Sequence, residues 1–328
     1  MPLVTVVVPC YNEQETIGLL LQAIYAQSFP LAELEVVIAD GLSTDQTRQQ
    51  IQNFQRKHHD LVVRVVDNVR RTIPSGLNAA IRAAEGQIII RLDAHSIPYP
   101  DYIAQCEAAL RSGCGDNVGG LWEILPGSKN WLAKSIAVAA ALPLGAGDAR
   151  YRIGGAAQAV DTVPFGAFYR SLVERIGYFD ETLLTNEDYE FNVRIRRSGG
   201  RVWMDPMIRS KYFARSTLGA LWRQYWRYGF WKAQMLRRYP STLRWRQAIP
   251  PVLVLSLFLF SVAALWLPVF RWLLVSEVMI YCLAVIIAGF QGAVKDRFWP
   301  HLVGIPLALW VMHLAWGGGM LFGGIRHE

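Results

Sequence analysis

Cysteine is scarce in this chain. Its four residues, Cys10, Cys106, Cys114 and Cys282, show no metal-ligand spacing, which excludes a cysteine-built metal centre and reads as buried free thiols of a reducing compartment. No basic n-region and no signal-type apolar run opens the sequence; Val4-Thr5-Val6-Val7-Val8 is too short for one and reads as a buried strand. Charge is scarce at the other end, where only seven residues from Ala248 onward are Lys, Arg, Asp or Glu. Acid is nearly absent just before that, since Arg194 to Arg246 holds fourteen Lys/Arg against one acid, Asp205. Such a basic stretch ahead of an apolar block suits the anionic surface of a cytoplasmic leaflet. No nucleic-acid-reading motif accompanies it, so nucleic acid is not the expected partner.

What is present is an α/β pattern followed by apolar blocks. The 328 residues, 52% of them apolar, suffice for one domain with an appendage. Strands are expected at Val4–Val8, Leu34–Ala39, Leu61–Val66 and Ile88–Leu92. Helices are expected over Glu13–Gln27, Thr44–His58 and Gly76–Ala84, the last closed by Gly86. Strands alternating with helices imply βαβ units and a mostly parallel sheet covered on both faces, with ligands bound beyond the carboxyl ends of the strands. The polar clusters Tyr11-Asn12-Glu13, Asp40, Asp45 and Asp93 fall at those ends. Residues 115–165 are Gly- and Ala-rich with weak periodicity, and Leu144–Gly155 reads as a mobile loop. The resulting plan is an α/β domain over 1–216, basic aromatic interfacial helices over 217–247 and a membrane segment over 248–328.

Three apolar blocks, about 250–268, 272–290 and 302–322, each approach the roughly 20 residues that cross a bilayer. The run before Ala248 and the link Lys295-Asp296-Arg297 belong on the cytoplasmic side by the positive-inside tendency. Three crossings then leave His327 and Glu328 outside, with Arg271 in a short external link. A re-entrant hairpin of the first two blocks is the alternative. Glu277 lies inside the second block, either as a functional carboxylate or as a partner of Arg271. The segment 217–247, with Trp222, Tyr225, Trp226, Tyr228, Phe230 and Trp231, suits headgroup depth.

Val6-Val7-Val8-Pro9-Cys10-Tyr11-Asn12-Glu13 resembles the opening of family 2 glycosyltransferases, and Asp40-Gly41 with Ser43-Thr44-Asp45 and Thr47 resembles that family's second block. Residues 68–95, including Arg71-Thr72-Ile73-Pro74, Leu77-Asn78 and Arg91-Leu92-Asp93-Ala94-His95, resemble the branch that builds succinoglycan-like exopolysaccharides. Gly166–Arg170, Gly177–Glu181 and Asn186-Glu187-Asp188 continue the likeness, which covers about residues 3–240. The resemblance implies a GT-A fold, a nucleotide-diphosphate sugar donor and inversion at the anomeric carbon. It assigns Pro9, Tyr11, Glu13, Asp40, Asp45, Arg71, Asn78 and Asp93 to the nucleotide sugar, with Tyr11 and Asp40 at the base. Asp188, beside Glu187, matches the aspartate that deprotonates the acceptor, although Tyr189 follows where relatives often carry another acid. Gln224-Tyr225-Trp226-Arg227-Tyr228 resembles a Gln-x-x-Arg-Trp signature, which gives Gln224, Arg227 and Tyr228 a part near the acceptor and the diphosphate.

Physical chemistry runs beside the likeness. A sugar leaving with a diphosphate builds negative charge, which calls for a divalent or fixed cation and a base for the acceptor hydroxyl. Asp93 ends a buried strand where it can reach Mn²⁺ or Mg²⁺. His95 stands where the family usually has a second aspartate, as a metal ligand favouring Mn²⁺ or as a hydrogen-bonded neighbour. Asp40 reads equally as a turn residue, Asp45 as a helix cap, and Glu187-Asp188 as an acid pair at a helix N-terminus. The expected function is an inverting hexosyltransferase at the inner membrane that uses a UDP-sugar, UDP-glucose by resemblance, its catalytic domain cytoplasmic and its acceptor a lipid-diphosphate-linked saccharide. Other polysaccharide-assembly proteins are candidate partners. A polyprenyl-phosphate glycosyltransferase and a non-catalytic nucleotide-sugar-binding scaffold are the alternatives.

Overall fold

The computed structural model describes residues 2–326, so the placement expected for His327 and Glu328 lies outside the described residues. The chain divides into two compact units: Met1–Glu123 with Gly154–Tyr212, and Ile124–Ile153 with Phe213–Glu328.

The first unit opens with β1 (Val4–Cys10), α1 (Ile17–Tyr25), β2 (Leu34–Asp40), α2 (Thr47–Lys57), β3 (Val62–Asp67), α3 (Ile73–Ala83) and β4 (Ile88–Arg91). Next come β5 (Ile97–Pro98), α4 (Tyr102–Arg111) and β6 (Asn117–Pro126). After an excursion into the second unit, through α5 (Trp131–Ala141), α6 (Pro143–Ala146) and α7 (Arg150–Ile153), the chain returns as β7 (Gln158–Ala159) and β8 (Ala167–Tyr169). It continues with α8 (Ser171–Ile176), α9 (Glu187–Arg197) and β9 (Val202–Ala214). The sheet order is β3-β2-β1-β4-β8-β6-β9-β5, with β7 on β9. The half from β3 to β4 is parallel, and β8 turns antiparallel against β4. The result is the curled mixed sheet of a GT-A-like fold.

Both faces of β1 are buried, as its unbroken apolar run requires. Val4, Val6 and Val8 pack with Ile17, Leu20 and Ile24 of α1. Val7 faces the opposite layer with Leu77 and Ile81 of α3, Phe168 and Phe191. Parallel register sets Cys10, Asp40 and Asp67 in one row at the carboxyl edge of the sheet. Helix α3 starts earlier than its apolar pattern indicates, because Thr72 caps it and Pro74 sits in its first turn. Gly86 does not close that helix through a left-handed turn. Ala84 ends it in an extended conformation, and a Cβ at Gly86 would lie 2.6 Å from Thr5 Oγ1.

The second unit contains α5 to α7 together with α10 (Leu218–Arg238), α11 (Trp245–Ala263), α12 (Pro268–Asp296) and α13 (His301–Ile325). The stretch expected as a loop, Leu144–Gly155, carries α6 and α7. Helix α5 docks on α13, with Ser135 Oγ 2.8 Å from His301 Nδ1. Helices α10 and α13 touch backbone to backbone through glycine. A Cβ at Gly229 would lie 2.1 Å from the Trp316 carbonyl, and one at Gly319 would lie 2.3 Å from that of Trp226. Gln234 and Arg237 of α10 donate to the carbonyls of Gly323 and Gly324 at the end of α13.

Three described helices, α11, α12 and α13, are long and apolar enough to cross a membrane, as the three apolar blocks imply. At 1.5 Å per residue they run about 28, 43 and 37 Å, against a hydrocarbon core of about 30 Å. Phe258 is 63% exposed and Ile280 70%, faces that only lipid satisfies on this scale. Trp245, Trp266, Trp272 and Trp299 stand exposed near helix ends, at the depth where indoles anchor. Arg271 lies within α12 and donates Nε to the Ala264 carbonyl. Glu277 accepts from the Ser256 hydroxyl of α11, so its described partner is Ser256 and not Arg271.

Gly229→Ala should destabilise the second unit by about 1–3 kcal/mol through overpacking, while Gly324→Ala, which meets nothing within 4 Å, should stay within about 0.5 kcal/mol. Thermal unfolding of both variants in detergent checks the contrast.

Candidate active site

Six described residues other than glycine have positive φ, and five of them, Asn12, Leu42, Arg71, Phe165 and Asn186, lie in loops of the first unit that flank its polar clusters. Backbone held in that region is strained and concentrates at functional sites. Two of the loops are laced together. Asn12 N–H donates to Ser43 Oγ, Glu13 N–H to Thr47 Oγ1 and Gln14 N–H to Asp45, while Thr44 N–H donates to Asn12 Oδ1. Asp45 also accepts from the Thr47 N–H and hydroxyl. Desolvation opposes, but these hydrogen bonds together hold its carboxyl below the ordinary aspartate value. Asp45 precedes the α2 cap position, Gln46, and through Thr47 and Gln14 it binds the two loops to each other.

Tyr11 is 42% exposed, and its ring lies over Gly41, where a Cβ would meet Tyr11 Cδ2 at 3.0 Å. The Arg71 guanidinium carbon sits 5.5 Å from the centroid of that ring. Pro9 lies one residue before the end of β1, in register with Ala39. Asp40 has no exposed side-chain surface; it accepts from Ser43 N–H and Oγ and from Arg48 Nε, whose Nη2 also reaches Asp67. Asn78 is buried, with its amide engaged by both the N–H and C=O of Phe179 and by Glu181. In this structure it pins the loop that leads to Glu187. Arg70, on the same loop as Arg71, pairs with Glu181 at 2.6 Å.

The centre of the arrangement is Arg91, an arginine at the end of an otherwise apolar strand and 3% exposed. One guanidinium meets three carboxylates: Asp93 and Glu187 at 3.0 Å each, and Asp188. Burial disfavours its charge, yet the three acids hold it charged, well above the ordinary arginine value. Glu187 and Asp188 occupy the first turn of α9. Burial drives the Asp188 carboxyl up; Arg91 pulls it down, and Glu187 and Asp93 push it up again, leaving it at about 7. A carboxylate in that range is suited to take a proton at neutral pH. Beneath lies Phe165, its ring centroid 6.0 Å from the Arg91 guanidinium carbon.

Asp93 keeps 21% of its side chain exposed. His95, two residues on, is 3.1 Å from Glu13 through Nδ1. Burial raises the Glu13 carboxyl, but hydrogen bonds from His95 and Thr16 outweigh it and hold it below its usual value. Among the described residues no group of three or more His, Cys, Asp or Glu forms a metal cage. A cation that takes one or two protein ligands and the rest from phosphate and water needs no cage, and a half-buried carboxylate with an imidazole two residues on fits that pattern.

Gln224, Arg227 and Tyr228 lie on α10 of the second unit. Gln224 donates to the Tyr228 hydroxyl at 3.0 Å, and Tyr228 meets Tyr225 edge to face. Sequence reasoning passed over Arg91 and Arg48 as site residues. Arg91 had a legible signal, since an arginine after Ile88-Ile89-Ile90 must find acids to survive burial.

The family model described as Glycosyl transferase family 2 matches residues 5–177. The chain belongs to that family. It is a glycosyltransferase. It is 29% identical over 317 residues to the succinoglycan biosynthesis protein ExoA of Rhizobium meliloti, covering 96% of this chain and 92% of that one. It is 26% identical over 332 residues to a dolichyl N-acetyl-alpha-D-glucosaminyl phosphate 3-beta-D-2,3-diacetamido-2,3-dideoxy-beta-D-glucuronosyltransferase of Methanococcus voltae, covering 99% and 98%. In structure it is similar to the mannosyltransferase PcManGT from Pyrobaculum calidifontis, solved with GDP-Man and Mn²⁺. There the TM-score is 0.59 and the identity 23%, covering 95% of this chain and 87% of that one. That likeness bears on the fold.

A raised carboxyl has a stability signature. The folded protein holds a proton on Asp188 between its unfolded value near 4 and its folded value of about 7, so the unfolded state binds fewer protons there. Stability from this group is present at low pH and is lost as pH rises through about 7. Asp188→Asn should therefore melt above wild type at pH 8 and close to it at pH 4. Equal melting shifts at both pH values would contradict the raised carboxyl.

Proposed function

We propose that the protein transfers a hexose, glucose in the first instance, from a UDP-sugar to a lipid-diphosphate-linked saccharide in exopolysaccharide assembly, with inversion at the anomeric carbon. The single observation that carries this reading is the placement of Asp188 with Asp93 and Glu187 around one buried arginine, Arg91, at the start of α9. In the reaction Asp188 takes the proton of the acceptor hydroxyl as its oxygen attacks the anomeric carbon. The bond from that carbon to the diphosphate oxygen breaks, and attack opposite the leaving group inverts the centre. Arg91 holds the Asp188 carboxylate in place, and Glu187 raises its basicity. A divalent cation, held by Asp93 and His95, would offset charge on the leaving diphosphate when bound. Tyr11 offers its face to the base, with Pro9, Glu13, Asp40 and Asp45 shaping the loops around it, Asp40 from behind Ser43 and Arg48. Arg71 turns its guanidinium to phosphate. Gln224, Arg227 and Tyr228 keep the acceptor and diphosphate part that their motif implies.

Three lines support the acceptor class. A relative matched over nearly the full length of both chains is named for succinoglycan biosynthesis. A second is named for a lipid-phosphate-linked sugar acceptor. The three apolar helices bring the protein to a membrane, where such an acceptor resides. By the distribution of basic residues the first unit belongs on the cytoplasmic face of the inner membrane.

The test is sugar transfer to the lipid fraction of a membrane extract by the purified full chain. UDP-glucose should be used in preference to GDP-mannose, with activity lost on chelation and restored by Mn²⁺ or Mg²⁺. Asp188→Asn should lower kcat at least about a hundredfold, and near-normal turnover would remove it as the base. In wild type, kcat/KM should fall about tenfold per pH unit below about 7 as the base is protonated.

A further inference from the structure

Tyr11 gives a base a face to lie on, but the carboxylate beside it is closed. Asp40 has no exposed side-chain surface. Its Oδ1 accepts from the Ser43 hydroxyl, and its Oδ2 from the Ser43 N–H and from Arg48 Nε. An imide N–H would have to break one of these bonds inside the protein. Asp45 is engaged as well, with its oxygens on Thr47 and Gln14. Glu13 has one oxygen on Thr16 and the other on His95. A stacked base still needs a partner for its polar edge, because a ring N–H taken out of water without one loses a hydrogen bond.

One acid of the row stays open. Parallel register sets Cys10, Asp40 and Asp67 side by side, on strands about 4.8 Å apart. The Tyr11 ring leans away from its own strand onto Gly41, just past the end of β2, where a Cβ would lie 3.0 Å from Cδ2. The next strand ends at Asp67. The loop after it brings the Arg71 guanidinium carbon to 5.5 Å from the Tyr11 centroid, on a backbone held at φ 56°. Asp67 is 58% exposed; its Oδ1 takes Arg48 Nη2 at 2.5 Å, and its Oδ2 has no described partner. Arg48 has Nε on Asp40 and Nη2 on Asp67, and its Nη1 has no described partner. A donor thus stands beside an acceptor at the open edge of the row. The two aspartates already hold the planar guanidinium, so little freedom is lost when it donates once more.

Such a pair reads the edge of a base. Uracil presents its O4 carbonyl beside the N3–H, an acceptor beside a donor, which complements Arg48 Nη1 and Asp67 Oδ2. Cytosine presents an amino group beside a bare N3, setting donor against donor and lone pair against carboxylate. The two bases have nearly the same size and stack alike, so this edge is what tells them apart.

We propose that Arg48 and Asp67 read the base of the sugar donor, Nη1 donating to the uracil O4 and Oδ2 accepting from its N3–H, and so select a uridine over a cytidine nucleotide. By closing Asp40, Arg48 also leaves Asp67 as the acceptor. The proposal rests on the transferase reading above and deepens its donor site.

The test is isothermal titration of the full chain in detergent, with Mn²⁺ present, against UDP, CDP and N3-methyl-UDP, in which a methyl replaces the ring N–H. Wild type should bind UDP about tenfold or more tighter than either of the others. In Asp67→Asn the amide can turn its oxygen to uracil or its N–H to cytosine, so the preference for UDP over CDP should shrink to within about threefold. UDP and CDP carry the same charge, so their ratio is blind to general repulsion between the acid and the phosphates. Equal binding of UDP and CDP by wild type, a preference that Asp67→Asn leaves unchanged, or failure of all three nucleotides to bind overturns the pair as reader. Binding is measured apart from turnover. Sugar transfer without base discrimination would sink the pair alone, whereas discrimination without transfer would support the pair and count against the transferase reading.

Discussion

One buried guanidinium shared among three carboxylates governs the first unit. Arg91 cannot be buried without acids, and Asp93, Glu187 and Asp188 cannot crowd together without a cation. The pairing ties the end of β4 to the first turn of α9, two segments far apart in the chain, and so closes the sheet edge into a site. Because three acids share one cation, the cluster carries excess negative charge. Burial first, and then the charges of Glu187 and Asp93, push the Asp188 carboxyl up against the pull of Arg91.

Around this centre the polar residues divide by what they touch. Tyr11 and Arg71 face each other on the exposed side. Asp45 and Asn78 are engaged within the protein, one lacing the loops after β1 and β2, the other fixing the approach to Glu187. Asp40 is closed behind Ser43 and Arg48. The motifs that carry the family likeness therefore combine side chains on the exposed side with side chains that hold the loops in which those stand.

The second unit follows a different constraint. Without water to drive apolar association, its helices gain by close backbone approach, and glycines in α10 and α13 permit it. This is why the basic aromatic helix α10 is packed along α13, with Tyr225, Phe230 and Trp231 buried, although its sequence reads equally well as a helix lying free at headgroup depth. The same unit recruits α5, whose Ala-rich sequence has too little periodicity to announce a partner.

The sequence by itself determined the parallel strands from β1 to β4, the three long apolar helices and the positions of Asp93 and Asp188. Local patterning is enough there: unbroken β-branched runs must be buried strands, runs of about 20 apolar residues must leave water, and ordered motifs carry the family. Element ends shifted by a few residues where a cap such as Thr72 outweighed the apolar pattern. Only the tertiary structure decided that Arg91 joins three acids, that Asp45 and Asn78 serve the scaffold, that 124–153 belongs with the C-terminal helices and that Arg48 closes Asp40. Each of these depends on contacts between segments distant in the chain, and a local pattern of hydropathy holds no information about which distant group will neutralise a charge or cover a ring.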